Sequence, residues 1–351
     1  MPQIEPRQRG TMRACRRKPP ILYLPIVLSI IAVFWTVLRF IHISNGGGGG
    51  GGEVNLRSDN NHPTVQYIDH TVVIWQIPDS SRAVLFVAHG CGGHPGHYWD
   101  RSPTCPNCVG MPEERLLVRE ALHLRYAVIG ISSLGKCWSF GKEVTTVNQI
   151  IGGWIETHPE LNNLPVFGLG ASSGGQFLSI LATKMKFRAI TLVVAQGLFK
   201  SMSDVVFSDY SPTLFVHMPK DGARMRMITK HMELLSKKGV EVREIRCMEF
   251  PITPHLLSDR IPGLDKGFSI KLFRMFGELG FIDDDGYMKK DGRKTPWKES
   301  MAKFIPDTDR YGSVFRHIQT ELNLAFAYHE MTSLEMNTIF QWFQQHMDSR
   351  I

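Results

Sequence analysis

Gly170, Ser172 and Gly174 form a G-x-S-x-G pentapeptide between the apolar run Val166-Phe167-Gly168-Leu169 and Gln176-Phe177-Leu178, where a helical pattern begins. A serine lifted onto a sharp bend between strand and helix presents its hydroxyl as a nucleophile. Only residues as small as glycine two places to either side avoid the neighbouring backbone there. Ser172 is the expected catalytic nucleophile; a frame shifted to Ser173 would be flanked by Ala171 and Gly175, which is sterically poorer.

A serine hydroxyl needs a base, a carboxylate to orient that base, and donors for the developing oxyanion. The loop His89-Gly90-Cys91-Gly92-Gly93 follows an apolar run, and its glycines let backbone N–H groups approach a substrate. The backbone amides of Cys91 and Ser173 are the expected oxyanion donors, with His89 a structural hydrogen-bonding residue. Asp221, just past the strand pattern Thr213-Leu-Phe-Val-His, is the expected acid. Asp204 and Asp209 precede that strand and are less well placed. Two histidines can serve as base: His329, ahead of the final helix, and His255, a few residues past the last strand. His329 is favoured because the loop of such a triad leads into the terminal helix.

The elements that must hold these residues alternate along the chain. Short β-branched runs at 83–88, 127–131, 166–169, 190–194, 213–218 and 240–245 read as inner strands, and 64–68 with 71–77 as an antiparallel hairpin. Amphipathic stretches at 112–122, 144–157, 173–185, 224–238 and 333–347 read as helices. This pattern predicts an α/β fold with a central, mostly parallel sheet of about eight strands flanked by helices. The segment 262–327, richer in Lys, Asp and Gly, predicts a helix, a turn and a small hairpin inserted before the last helix, as a lid or a docking module. The loop Ser132 to Phe140, with Trp138, is expected to form a pocket wall or to cap the core.

The H-G-C-G-G loop, the G-A-S-S-G-G elbow, the Asp221 turn and the late histidine resemble the α/β-hydrolase superfamily, esterases and lipases among them, over about 64–347. The arrangement with a basic tail, anchor and insertion also resembles single-pass, membrane-anchored plant and algal members. The resemblance implies a Ser-His-acid triad acting on a carboxylic ester, with no cofactor, on a small-molecule, lipid or acylated substrate. The same fold also serves as a non-catalytic interaction scaffold, with a protein partner at 262–327.

The net charge of +7 does not call for nucleic acid, since Arg7, Arg9, Arg13, Arg16, Arg17 and Lys18 place six positive charges in the first eighteen residues. Behind that tail, 21–43 is apolar and long enough to span a bilayer, and Gly46 to Gly52 reads as a tether. The sequence divides into a cytosolic tail at 1–20, a signal anchor at 21–43, a glycine-rich linker at 44–61 and a hydrolase domain at 62–351. Basic residues before the span predict a type II protein of the secretory pathway, endoplasmic reticulum or Golgi, with its domain lumenal. In that oxidising setting Cys91, Cys105, Cys108, Cys137 and Cys247 allow two disulfides and one free thiol, of open connectivity. No ligand set completes Cys105-Pro-Asn-Cys108 as a zinc site.

Overall fold

The computed structural model describes residues 62–200, 202–304 and 308–347. The tail, anchor and linker expected at 1–61 lie outside these residues. No helix among the described residues is long and apolar enough to cross a membrane.

Eight strands form one sheet: β1 (Thr64–Ile68), β2 (Thr71–Gln76), β3 (Ala83–Ala88), β4 (Tyr126–Ile131), β5 (Val166–Ala171), β6 (Ala189–Val193), β7 (Thr213–His217) and β8 (Val242–Arg246). Their spatial order is β1-β2-β4-β3-β5-β6-β7-β8. β1 pairs antiparallel with β2, and β2 with β4; all the other pairs are parallel. This is the mostly parallel, helix-flanked sheet of the α/β-hydrolase fold.

Sequence chemistry explains the layering. The hairpin turns at Asp69 and His70, both with positive φ (45° and 63°), as a two-residue turn with right-handed strand twist requires. The inner strand AVLFVA is buried throughout because both sheet faces are covered. Alternate residues enter opposite cores. Val84, Phe86 and Ala88 pack with Ile150, Trp154 and Phe177, from α2 (Lys142–Glu156) and α3 (Ser173–Leu181). Leu85 and Val87 pack with Leu117, Phe340 and Trp342, from α1 (Pro112–His123) and α10 (Met336–Gln345). The edge strand β8, VREIR, keeps polar residues exposed, which discourages pairing with another chain. The four-residue α4 (Asp204–Phe207) precedes β7, and α5 (Gly222–Lys237) links β7 to β8.

Between β8 and α10 lies the insertion: α6 (Leu256–Arg260), α7 (Lys266–Glu278), α8 (Trp297–Phe304) and α9 (Phe315–Phe326). Its helical part begins earlier than the expected residue 262. The expected hairpin is a single antiparallel bridge, Ile282 to Met288, across a tight turn. The insertion has its own core, with Leu272, Phe276, Trp297, Ile318 and Leu322. A buried ion cluster fastens it to the sheet layer. Arg260 Nε donates to Glu321 Oε2 at 2.5 Å, and Arg260 Nη2 donates to Glu113 of α1. Glu113 Oε2 also accepts the backbone N–H of Ser333 at 2.6 Å.

Candidate active site

β5 ends at Ala171 and α3 starts at Ser173, so Ser172 occupies the turn between them, at φ 52° and ψ −114°. Such angles are strained for a non-glycine residue and are held only where surrounding structure enforces them. The two glycines supply the room. A Cβ at Gly170 would lie 2.5 Å from the Gly174 carbonyl oxygen, and one at Gly174 would overlap the Ala88 carbonyl oxygen.

The strain aims the hydroxyl. Ser172 Oγ lies 3.0 Å from His329 Nε2, and His329 Nδ1 lies 3.0 Å from Asp221 Oδ2. An ionised carboxylate only accepts, so Nδ1 carries the proton, and Nε2 is left to accept from the serine. Asp221 stands at the N-terminus of α5, where its Oδ1 accepts the Arg224 backbone N–H at 3.2 Å, leaving Oδ2 for the imidazole. Burial lowers the His329 pKa from 6.5, and the Arg224 and Arg293 cations lower it further, against the raising pull of Asp221.

The structure brings together Ser172, His329 and Asp221. It does not bring His255, which sits exposed at the start of α6, where its carbonyl oxygen accepts from Ser258 Oγ and the Asp259 amide. That position faces solvent because the chain enters the insertion there, whereas His329 follows the insertion's return to the sheet. Asp204 and Asp209 pair with Lys238 and Lys186 instead.

The His89–Gly93 loop abuts the elbow: a Cβ at Gly90 would be 3.6 Å from Ser172 Cβ. The loop is braced from one side. Trp138 Nε1 donates to His89 O at 2.8 Å, the Ser133 amide donates to His89 Nε2 at 3.1 Å, and a Cys91–Cys137 disulfide joins the two loops. Burial drives the His89 pKa down to about 4, so this ring stays neutral and donates from Nδ1 to the Gly90 carbonyl oxygen. The Gly92 and Gly93 amides are engaged by Lys136 O and Gly90 O, while no backbone acceptor takes the amides of Cys91 or Ser173 among the described residues. Ser173 opens α3, where N–H groups are free and the helix dipole favours negative charge. Cys105 pairs with Cys108, and Cys247 is free and buried.

Of the two expectations for 132–140, pocket wall or core cap, Trp138 takes the second. Trp138 is buried, stacked on Phe177 at 4.2 Å, so it caps the core and braces the loop. The cavity beside Asp221 and His329, of about 730 Å³, is built by the β7–α5 corner and the insertion. The corner contributes Lys220 and Arg224; the insertion contributes Lys289, Lys290, Arg293 and Lys294. Phe326, Tyr328 and Asp291 complete the wall with Asp221 and His329. Sequence reading missed these cations, because K-K-D-G-R-K resembles any solvated charge run until the insertion folds over the sheet.

No family model and no curated protein matches the chain. Solved structures similar to it include Est1E from Butyrivibrio proteoclasticus, 11% identical with a TM-score of 0.39, covering 53% of this chain and 88% of that one. Dienelactone hydrolase from Anabaena variabilis is 17% identical with a TM-score of 0.36, covering 59% and 94%. Carboxyl esterase 2 from the mycorrhizal fungus Tuber melanosporum is 14% identical with a TM-score of 0.39, covering 64% and 88%.

Proposed function

We propose that the chain is a serine hydrolase that cleaves carboxylic esters through an acyl-enzyme. The observation that carries this reading is the continuous hydrogen-bonded line from Ser172 Oγ through the His329 ring to Asp221 Oδ2. As Ser172 Oγ attacks the ester carbonyl carbon, His329 Nε2 takes its proton, and Asp221 holds the imidazolium that forms. The amides of Cys91 and Ser173 receive the oxyanion, each such donor contributing about 3 kcal/mol to the transition state. His329 then protonates the leaving alcohol, and water, deprotonated by the same ring, releases the acid.

The test is labelling of the full-length chain by a fluorophosphonate, with Ser172→Ala as the control. Labelling of the wild type alone is the expected result. A folded wild type that stays unlabelled shows the serine is not activated.

A non-catalytic scaffold is disfavoured by the approach of His329 to Ser172, since a packing histidine has no need of a strained serine. The insertion's place in the cavity wall favours a substrate-binding role over a docking module for a protein partner. For location, we propose a type II anchor at 21–43 with the hydrolase domain lumenal, as in the membrane-anchored plant and algal proteins the sequence resembles. Two disulfides in the domain support an oxidising compartment. Protease protection of the domain in sealed microsomes tests it; digestion without detergent overturns it.

A further inference from the structure

We infer that the ester cleaved at this site carries an oxyanion (carboxylate, sulfate or phosphate) on its alcohol portion, held in the cavity beside His329 by Lys289, Lys290 and Lys294. The ester part of this inference rests on the serine-hydrolase reading; the anion part rests on the cavity alone.

The charges in and around the cavity do not balance. Asp221 is taken by His329 and Arg224, Asp291 and Glu330 by Arg293, and Glu249 by Lys220. Lys289, Lys290 and Lys294 then have no carboxylate within 4 Å among the described residues, though all three line the cavity. The aspartates of the 283–285 turn pair with none of these lysines: Asp283 Oδ1 accepts the amides of Asp285 and Tyr287 instead. Lysines of one sign along a concave wall focus a positive potential into the cleft, which raises the local concentration of an anion.

The position of the cavity selects the alcohol portion. Ser172 is not among its lining residues, whereas His329 is, so the imidazole is where triad and cavity meet. The imidazole is also the group that hands its proton to the leaving oxygen, so the departing alcohol must pass beside it. Phe326 and Tyr328 offer an apolar wall in the same cavity, and Lys220 Nζ stands 4.0 Å over the Phe326 ring. An alcohol with an apolar ring and an anionic substituent fits this combination.

Two aryl acetates differing in one charge test the inference on the full-length chain: 4-acetoxybenzoate and its methyl ester. The methyl ester has the more electron-withdrawing substituent and the better leaving group, so a preference for the acid has to come from recognition. The expected result is a kcat/KM at least about tenfold higher for the acid at low salt, narrowing as salt screens the lysines. In Lys289→Ala/Lys290→Ala/Lys294→Ala that acid-to-ester ratio falls by about tenfold. Equal use of both esters at every salt concentration overturns the inference while leaving the hydrolase reading intact. Preference for 4-acetoxyphenyl phosphate over 4-acetoxybenzoate supports the inference and assigns the anion to the phosphate type. If none of these esters is hydrolysed, fluorophosphonate labelling decides the hydrolase reading, and calorimetric binding of 4-acetamidobenzoate decides the anion part separately. Binding about tenfold weaker in the triple variant upholds it; binding independent of the lysines overturns it.

Discussion

Arg293 Nη2 donates to the backbone carbonyl oxygen of His329 at 2.7 Å, and the same nitrogen reaches Glu330 Oε2 at 2.6 Å. The insertion therefore grips the loop that carries His329. From its other end the loop is held by Ser333 on Glu113. Arg316 of α9 also donates to the Gly92 carbonyl oxygen at 3.3 Å, so the insertion touches both sides of the elbow.

Arg293 positions the imidazole, so Arg293→Ala lowers kcat on a neutral aryl ester by about ten- to a hundredfold with a smaller change in KM, the cost of a base displaced by a fraction of an ångström. Arg293→Lys restores part of the loss, since one ammonium cannot reproduce two directed guanidinium bonds. Steady-state kinetics decide it; an unchanged kcat shows that the loop is held without this residue.

Asp221→Asn keeps the side-chain shape but removes the carboxylate that selects the Nδ1–H tautomer, and kcat falls by about 10³- to 10⁴-fold. His255→Ala, at an exposed helix start remote from this bond network, leaves the rate within about twofold. The reverse pattern would transfer the base from His329 to His255.

The acid limb of the pH profile of kcat/KM reports the free enzyme's base. Burial, then Arg224 and Arg293, push the His329 pKa below 6.5, so the ring is neutral and active to lower pH than an ordinary histidine. The midpoint is expected below pH 6.5, and Arg224→Ala moves it upward. A midpoint above 6.5 in the wild type contradicts the electrostatic account.

Glu114 has its Oε2 buried without a hydrogen-bond partner, and burial first, then the Glu330 charge, raise its pKa from 4.5 to about 8. Unfolding releases this proton above pH 4.5, so the folded state is favoured by the group below pH 4.5 and loses that advantage as pH rises toward 8. Glu114→Gln should flatten this part of the stability curve and raise Tm at pH 8. Parallel melting curves for the two proteins from pH 5 to 8 would rule the account out.

Arg260 joins Glu113 and Glu321, both fully buried. Arg260→Ala leaves two buried carboxylates with their shared cation gone, at a cost of about 3–5 kcal/mol, read by urea unfolding. A loss below about 1 kcal/mol means the insertion is fastened by its apolar core alone.

Local pattern made much of this molecule legible in advance. Eight strands along the chain, the turn at Asp69-His70, the bend at Ser172 and the carboxylate at Asp221 follow from periodicity and turn chemistry. Each involves residues within a few positions of one another, where backbone sterics and side-chain burial act directly. Boundaries moved by only one or two residues at most strands, as with β4 starting at Tyr126 instead of 127.

The remaining features depend on contacts across long stretches of chain. Ser172 and His329 are 157 residues apart, and a position ahead of the final helix favours His329 over His255 without bringing either imidazole to the serine. The same holds for the Cys91–Cys137 pairing, 46 residues apart, and for the lysines of K-K-D-G-R-K, which become a cavity wall only when the insertion packs on α1 and the sheet. Sequence by itself determined the strands, the elbow and the candidate chemistry, because those are properties of neighbouring residues. Tertiary structure alone decided the partner of the serine and the charge of the space beside it, because a potential depends on which distant side chains fold to within a few ångströms.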